Sequence, residues 1–308
     1  MRIIQNFSSG KHIKTLPVTD ILIWYVGLLS LKQDNHILKL YCKESDVPFL
    51  KKWGLFELYD EFDFETLETF VPTIDETNFW SVRKLECIRH EFEVSTETFI
   101  YMDTDIIMQA PISFDKDVIV WSPETKSLVY LPWVDFSFPP NYKLPEWLAT
   151  TDTAYNCGIL GFKQKQVFDQ YLAEYYNFTT NNPCKLYNLK LNRPDELRCI
   201  WACNAEQRIL KGLCSYLNLA INYIMDTPEV GISPQGIHFY ILRHNWRRIA
   251  LLTELKQTDL LKPTVELLNK YLLNLLENLP PEALKLFTTN SIDLYNLYYY
   301  SSKVLTYI

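Results

Sequence analysis

The feature that most constrains the fold is an alternation running through the first hundred residues. Short apolar runs that read as strands alternate with longer stretches of helical spacing. "RIIQNF" is predicted as the first strand and "VTDILIWYVGLLSLKQ" as the first helix, with Thr19 or Asp20 near its start. "HILKLYC" reads as a strand. "SDVPFLKKWG" reads as a short helix capped by Ser45 or Asp46 and stopped at Gly54, and "LFELYDEFD" as a third strand. In "TNFWSVRKLECIRHEF", Val82, Leu85, Ile88 and Phe92 recur at spacings of three and four, which marks an amphipathic helix. "TFIYMDTDIIM" then reads as one strand. Alternation on this scale predicts an α/β fold, a mostly parallel sheet with covered faces.

After Pro111 the pattern loosens. "DVIVWSP" and "SLVYLPW" read as strands, and "FSFPPNYKLPEW" as a Pro-rich loop. "AYNCGILGF" is a buried strand followed by a helix over about 164–176. "LNRPDELRCIW" opens a helix with Pro194 and two acids in its first turn. "NAEQRILKGLCSYLN" is helical with Ile209, Leu210, Leu213 and Leu217 on one face, and "GIHFYIL" reads as a last strand. From about Ile249 Leu-rich helices dominate, ending in the Tyr-rich "YNLYYYSSKVLTY", which reads as a packed helical tail. The expected organisation is a domain over 1–248 with a helical C-terminal extension, 249–308, on it.

Composition narrows the function. A hydrophobic content of 48% with 15% aromatics supports a sizeable core. A formal charge of −7 argues against broad binding to nucleic acid or anionic lipid, while leaving room for a small basic pocket. The apolar run Ile21–Leu31 is too short to span a bilayer, so no transmembrane segment and no signal peptide are expected. Seven scattered cysteines without a CxxC pair imply reduced thiols and a cytoplasmic location.

Within "FIYMDTDIIMQAP", Asp103 and Asp105 interrupt an apolar run with one residue between them. On one strand such residues project to the same face. Neighbouring carboxylates repel and burial disfavours their ionisation. A divalent cation, Mn²⁺ or Mg²⁺, relieves both effects and can also hold substrate phosphates. The other reading is a strand end with two solvated acids.

The same stretch resembles the D-x-D strand of GT-A-fold glycosyltransferases, in particular the metal-dependent galactosyl- and glucosyltransferases related to glycogenin. Four further stretches carry the resemblance over about 1–248. "FWSVRKLECIRH" is similar to the helix before that strand, and implies that Lys84 faces the nucleotide. The other reading places Lys84 on a solvated helix face, since the apolar stripe lies elsewhere on that helix. "AYNCGILGF" resembles the strand lining the sugar site, with Asn156 toward hydroxyls and Gly158 leaving room for close approach. "NAEQRIL" resembles the acid–Gln pair beside the anomeric carbon, with Glu206 where Asp is usual, followed by Gln207. Read locally, Asn204 and Gln207 also form a capping box at a helix start. "GIHFYILRHNWRR" resembles the late histidine segment, with His238 as metal ligand (His244 competing) and Arg243 on the diphosphate. Here the usual glycine is absent and Arg replaces Lys. The loop after the first strand implies Ser8, Ser9 and Gly10 for base and ribose, against a plain Ser-Gly turn.

The resemblance implies a GT-A-type, Rossmann-like mixed sheet flanked by helices, and a metal-dependent transferase. It would move a sugar from a nucleoside-diphosphate sugar, UDP-sugar favoured, to a glycan or other hydroxyl acceptor, with retention at the anomeric carbon. Asp103, Asp105 and His238 would hold the Mn²⁺ or Mg²⁺. The alternative is a non-catalytic GT-A-like protein that binds nucleotide-sugar or glycan, or serves in assembly. A haloacid-dehalogenase-type phosphatase also uses D-x-D, but places it early and with a different following residue than Ile107.

Overall fold

A computed structural model describes residues 1–7, 18–74, 76, 79–108, 110–124, 130, 132–133, 136–140, 142–181, 185–186, 200–225 and 236–238. They fall into two compact units. The first draws on Met1–Asn6, Asp63–Asp103 and Ile112–Glu229. The second, among its described residues, draws on Phe7–Phe62, Thr104–Pro111 and a strand at Gly236–His238.

The strands, in chain order, are β1 (Arg2–Asn6), β2 (Ile37–Tyr41), β3 (Glu61–Asp63), β4 (Phe99–Met102), β5 (Ile106–Met108), β6 (Val118–Glu124), β7 (Phe136–Ser137), β8 (Ala154–Phe162), β9 (Lys185–Leu186), β10 (Ile221–Tyr223) and β11 (Gly236–His238). The helices are α1 (Val18–Gln33), α2 (Val47–Lys52), α3 (Glu65–Thr69), α4 (Val82–Val94), α5 (Glu146–Ala149), α6 (Lys165–Thr180) and α7 (Ile209–Tyr216). A π-helical stretch, Asn204–Arg208, leads directly into α7.

In the first unit the strand order is β10-β6-β8-β4-β1. β1 runs parallel to β4 and β10 parallel to β6, while β8 is antiparallel to both β4 and β6. Four strands therefore share a direction and β8 opposes them, a mixed Rossmann-like sheet flanked by helices as expected. All nine residues of β8 and all four of β4 are buried, which explains their near-continuous apolar sequences. α4 and α6 join this core through rings: Phe92 meets Phe99 at 4.8 Å and Phe168 at 5.4 Å, and Phe162 stacks on Tyr171 at 5.7 Å.

β8 is irregular where the site lies. Val120 faces Leu160, but two residues later Ser122 faces Asn156, so β8 carries two extra residues across that interval. The Asn156 side chain accepts the Gly158 N–H at 2.9 Å, satisfying a donor that the irregularity removes from the ladder.

In the second unit α1 lies close against β5. A methyl group at Gly27 would collide with the Ile106 carbonyl, so only glycine permits this approach. Ser30 Oγ donates to the Gly27 carbonyl at 2.7 Å and accepts the Met108 N–H at 3.1 Å, fixing β5 to the helix. β5 pairs antiparallel with β11, with Ile106 opposite His238 and Ile107 opposite Ile237. Gly54, at φ +66°, ends the turn after α2.

Three expectations are corrected. "TFIYMDTDIIM" is two strands, not one. The Asp103 N–H bonds the Gly158 carbonyl at 2.7 Å, the chain turns at Thr104–Asp105, and β5 then pairs with β11 instead of β8. The inference that Asp103 and Asp105 share a strand face therefore fails. "LFELYDEFD" supplies only a three-residue strand, because Phe56–Leu58 form a 3-10 turn. The Asn204–Gln207 capping box does not form, because residues 200–203 are already helical. Asn204 instead donates to the Ile200 carbonyl at 2.7 Å and accepts from Arg208 Nη1 at 3.1 Å. Of the strand expected at 127–133, Tyr130, Pro132 and Trp133 are described and lie in no strand; its other residues, the helix start at 191–199 and the extension over 249–308 lie outside the described residues.

Candidate functional site

The first unit gathers three charged side chains from sequence-distant elements. Lys84 comes from the first turns of α4, Asp103 from the end of β4, and Glu206 from the π-helical stretch before α7. Lys84 Nζ donates to Glu206 Oε1 at 2.8 Å and to the Cys157 carbonyl at 2.9 Å, and stands 3.2 Å from Asp103 Oδ1. It also lies 4.8 Å from the centroid of the Tyr101 ring. Lys84 and Glu206 are buried, whereas the Asp103 side chain is about one-third exposed, so the cluster opens on the Asp103 side.

Each partner is itself placed by the fold. The Asp103 carbonyl accepts from Gln5 Nε2 at 3.3 Å, which ties it to β1. Tyr101 donates its hydroxyl to Asn6. The backbone carbonyl of Glu206 accepts from the Tyr171 hydroxyl of α6 at 3.0 Å. The Cys157 carbonyl that receives Lys84 belongs to the irregular part of β8.

One ammonium faces two carboxylates, and burial decides the balance. Burial pulls the Lys84 ammonium down, but Asp103 and Glu206 outweigh it, so the group is held well above the usual lysine range. Burial pushes the Glu206 carboxyl up and Asp103 adds to the rise, with Lys84 opposing only in part. Glu206 is thus a carboxyl whose anion is costly, beside a lysine that remains charged. Such a pair can balance charge that develops in a bound ligand.

The remaining predicted residues are placed differently. Asn156 is buried, and its amide donates to Glu124 Oε1 at 2.9 Å while its carbonyl holds Gly158. Gln207 accepts from the Tyr130 hydroxyl. Asp105 sits in the turn before β5, in the second unit, where the β5–β11 ladder sets the backbone of His238 opposite Ile106. Ser8, Ser9, Gly10, Arg243 and His244 lie outside the described residues. Among the described residues no three His, Cys, Asp or Glu side chains form a metal-holding group; the His238 side chain is not among them. Among them, too, no helix is long and apolar enough to cross a membrane.

Sequence reasoning missed Tyr101, Glu124 and Tyr130. Tyr101 was legible in principle, since it lies two residues before Asp103 on β4 and so shares its side of that strand. Arg208 was also missed. Its guanidinium lies 3.8 Å from the Trp133 ring centroid and donates to the Thr151 carbonyl at 2.7 Å. Burial lowers it to about 10, against the pull of Asp152 and Tyr130, so it stays charged at neutral pH.

Residues 59–296 match the model of a family described as "Family of unknown function (DUF6734)", which is more than half of the 308 residues. No curated protein matches significantly. Among solved structures the chain is similar to "PaToxG Glycosyltransferase" at 16% identity, covering 70% of this chain and 72% of that one, with a TM-score of 0.33. It is also similar to "Structure of the inositol-1-phosphate CTP transferase from T. maritima" at 12% identity, covering 72% and 84%, with a TM-score of 0.34. At these TM-scores neither likeness bears on function.

Proposed function

The chain belongs to the family of unknown function DUF6734, and we propose that it is a glycosyltransferase acting on a nucleoside-diphosphate sugar, with UDP-sugar favoured. The observation that carries this reading is the convergence of Lys84, Asp103 and Glu206 at the end of β4. In open α/β sheets the ligand crevice lies at the carboxyl ends of the strands, where Asp103 stands. The D-x-D resemblance supplies the substrate class.

In this reading Asp103 contacts the donor from the exposed side of the cluster. Glu206 faces the sugar and balances positive charge building at the anomeric carbon. Lys84 fixes both carboxylates and keeps Glu206 from drifting to a neutral, unoriented state. Asn156 acts as a positioning residue, since its amide is spent on Glu124 and Gly158. Gln207, held by Tyr130, lines the acceptor side. For the cation, the resemblance nominates Asp103, Asp105 and His238, two carboxylates and an imidazole. That donor set suits Mn²⁺ or Mg²⁺. When bound, such an ion supplies Lewis-acid stabilisation of a leaving diphosphate.

A second reading, binding of nucleotide-sugar without turnover, is favoured by the engagement of Asn156 with Glu124 and Gly158. Transfer and hydrolysis measured on a panel of UDP- and GDP-sugars, with Mn²⁺ or EDTA, separate the two. Turnover that needs Glu206 supports the transferase. Binding without turnover supports the second reading, and neither binding nor turnover refutes both.

A further inference from the structure

A cleft between α5 and α7, within the first unit, has the chemistry of a carbohydrate site. It encloses about 320 Å³, at the lower end of the range usual for small-molecule sites. One wall is aromatic. Trp147 of α5 stacks on Tyr216 of α7, with centroids 6.1 Å apart and planes 25° from parallel, and Tyr216 is 64% exposed. A large, exposed ring stacked on a second one is costly to leave in water and presents a flat apolar platform.

The seat of that platform is specific. A methyl group at Gly212 would lie 2.8 Å from Trp147 Cε3 and Cζ3, so a glycine in the middle of α7 lets the indole lie against the helix. Helical glycine costs about 1 kcal/mol relative to alanine, a cost that the Trp147 position offsets.

The other walls carry hydroxyls arranged with complementary polarity. Thr151 donates its hydroxyl hydrogen to the Trp147 carbonyl at 2.8 Å, and Thr150 donates to the Trp147 carbonyl at 3.2 Å or the Glu146 carbonyl at 3.4 Å, which leaves each oxygen with acceptor capacity. Lys211 donates to Ser215 Oγ at 2.7 Å, which leaves the serine its own hydrogen and the ammonium two more. Asp152 and Lys211 bring one charge of each sign to the lining, and Asp152 also interacts with the Arg208 guanidinium.

We infer that this cleft binds a neutral saccharide, one pyranose face against Trp147 and Tyr216 and its hydroxyls on the Thr150–Thr151 and Lys211–Ser215 groups. The volume admits the end of a glycan rather than a long chain. This inference does not depend on the transferase reading, because it concerns a separate cleft and a separate ligand.

The test is calorimetric titration of the intact protein with four tetrasaccharides: β-1,4-linked glucose, α-1,4-linked glucose, β-1,4-linked N-acetylglucosamine and a galactose-terminated one. At least one is expected to bind. Tyr216→Ala and Lys211→Met, both at positions outside the core, should each weaken it about tenfold, or about 1.4 kcal/mol, with unchanged circular dichroism. If none of the four binds the wild type, or if affinity survives both substitutions, the inference is overturned. Saccharide binding in a protein that ignores every nucleotide would sustain this site while removing the transferase reading.

Discussion

Lys84 Nζ stands 2.8 Å from Glu206 Oε1, and 122 residues separate the two in the chain. Both are buried, and a third charge, Asp103, lies 3.2 Å from the same ammonium. The fold thus spends a buried ion pair on holding one carboxyl, Glu206, where its anion is disfavoured. An apolar trio in that position would often be as stable or more so, so the arrangement points to chemistry rather than to stability.

Removing the lysine should expose that tension. Lys84→Met leaves Glu206 buried without a countercharge and is expected to destabilise the protein by roughly 3–5 kcal/mol. Adding Glu206→Gln should recover a large part of the loss, because the stranded charge is gone. Urea denaturation of the single and double variants measures this coupling. Additive losses would mean that the two residues are not energetically linked.

The pH dependence follows from the direction of each shift. Glu206 is raised in the folded state above its ordinary value of 4.5, so its contribution to stability is fully present below about pH 4.5 and is lost as pH rises through the folded value. Glu206→Gln should therefore match the wild type near pH 4 and become the more thermostable of the two toward pH 8, while losing activity. Lys84 is raised as well, so its contribution persists up to the ordinary lysine value near 10.5 and fades only as pH rises through its folded value. A melting difference between wild type and Glu206→Gln that stays constant from pH 4 to 8 would contradict this account.

The close approach of α1 to β5 predicts an inverted propensity effect. In an open helix Gly→Ala gains about 1 kcal/mol. Gly27→Ala should instead cost roughly 1–3 kcal/mol, because the methyl meets the Ile106 carbonyl. Ser30→Ala, which frees the Met108 N–H, should cost about 1–2 kcal/mol. Melting temperatures of the two variants check both signs.

Asn156→Ala removes the acceptor for the Gly158 N–H and the donor to Glu124. The expected loss is about 1–3 kcal/mol of stability, with a fall in any transfer rate through displaced Cys157 and Lys84. A rate that falls with stability intact would assign Asn156 a direct contact with the sugar instead.

Much of the first unit was legible because its strands are buried on both sides and write themselves as apolar runs: FIYM and AYNCGILGF needed no context. For Lys84 a solvated face stayed open beside the ligand-facing reading, because Val82, Leu85 and Ile88 define one stripe of α4. The helix is in fact buried over a wider arc that includes Lys84, Cys87 and Glu91, spaced three and four apart. Glu91 stands 3.3 Å from Arg2, so that second stripe is charged at both ends and looks like surface in a one-dimensional reading. The break after Asp103 was hidden because Ile106–Met108 is as apolar as Phe99–Met102. Which partner each run takes is a tertiary fact. The capping box failed for a related reason: Asn204 has the composition of a helix start, but Ile200, Trp201 and Ala202 already continue the helix before it. Glu206 was singled out by the resemblance of "NAEQRIL" to an acid–Gln pair and not by its local spacing.

The central claim is that the Asp103 end of this cluster receives a nucleotide-sugar. The most direct measurement is thermal unfolding with a UDP-sugar or a GDP-sugar, each with Mn²⁺ or EDTA, on wild type and Asp103→Asn. A ligand at about 100 times its dissociation constant adds about 2.7 kcal/mol, enough to raise the midpoint by several degrees. The account predicts such a rise for one of the two nucleotides in the wild type, larger with Mn²⁺ than with EDTA, and none for Asp103→Asn relative to its own baseline. A wild type unmoved by both nucleotides, or a rise that survives in Asp103→Asn, would contradict it.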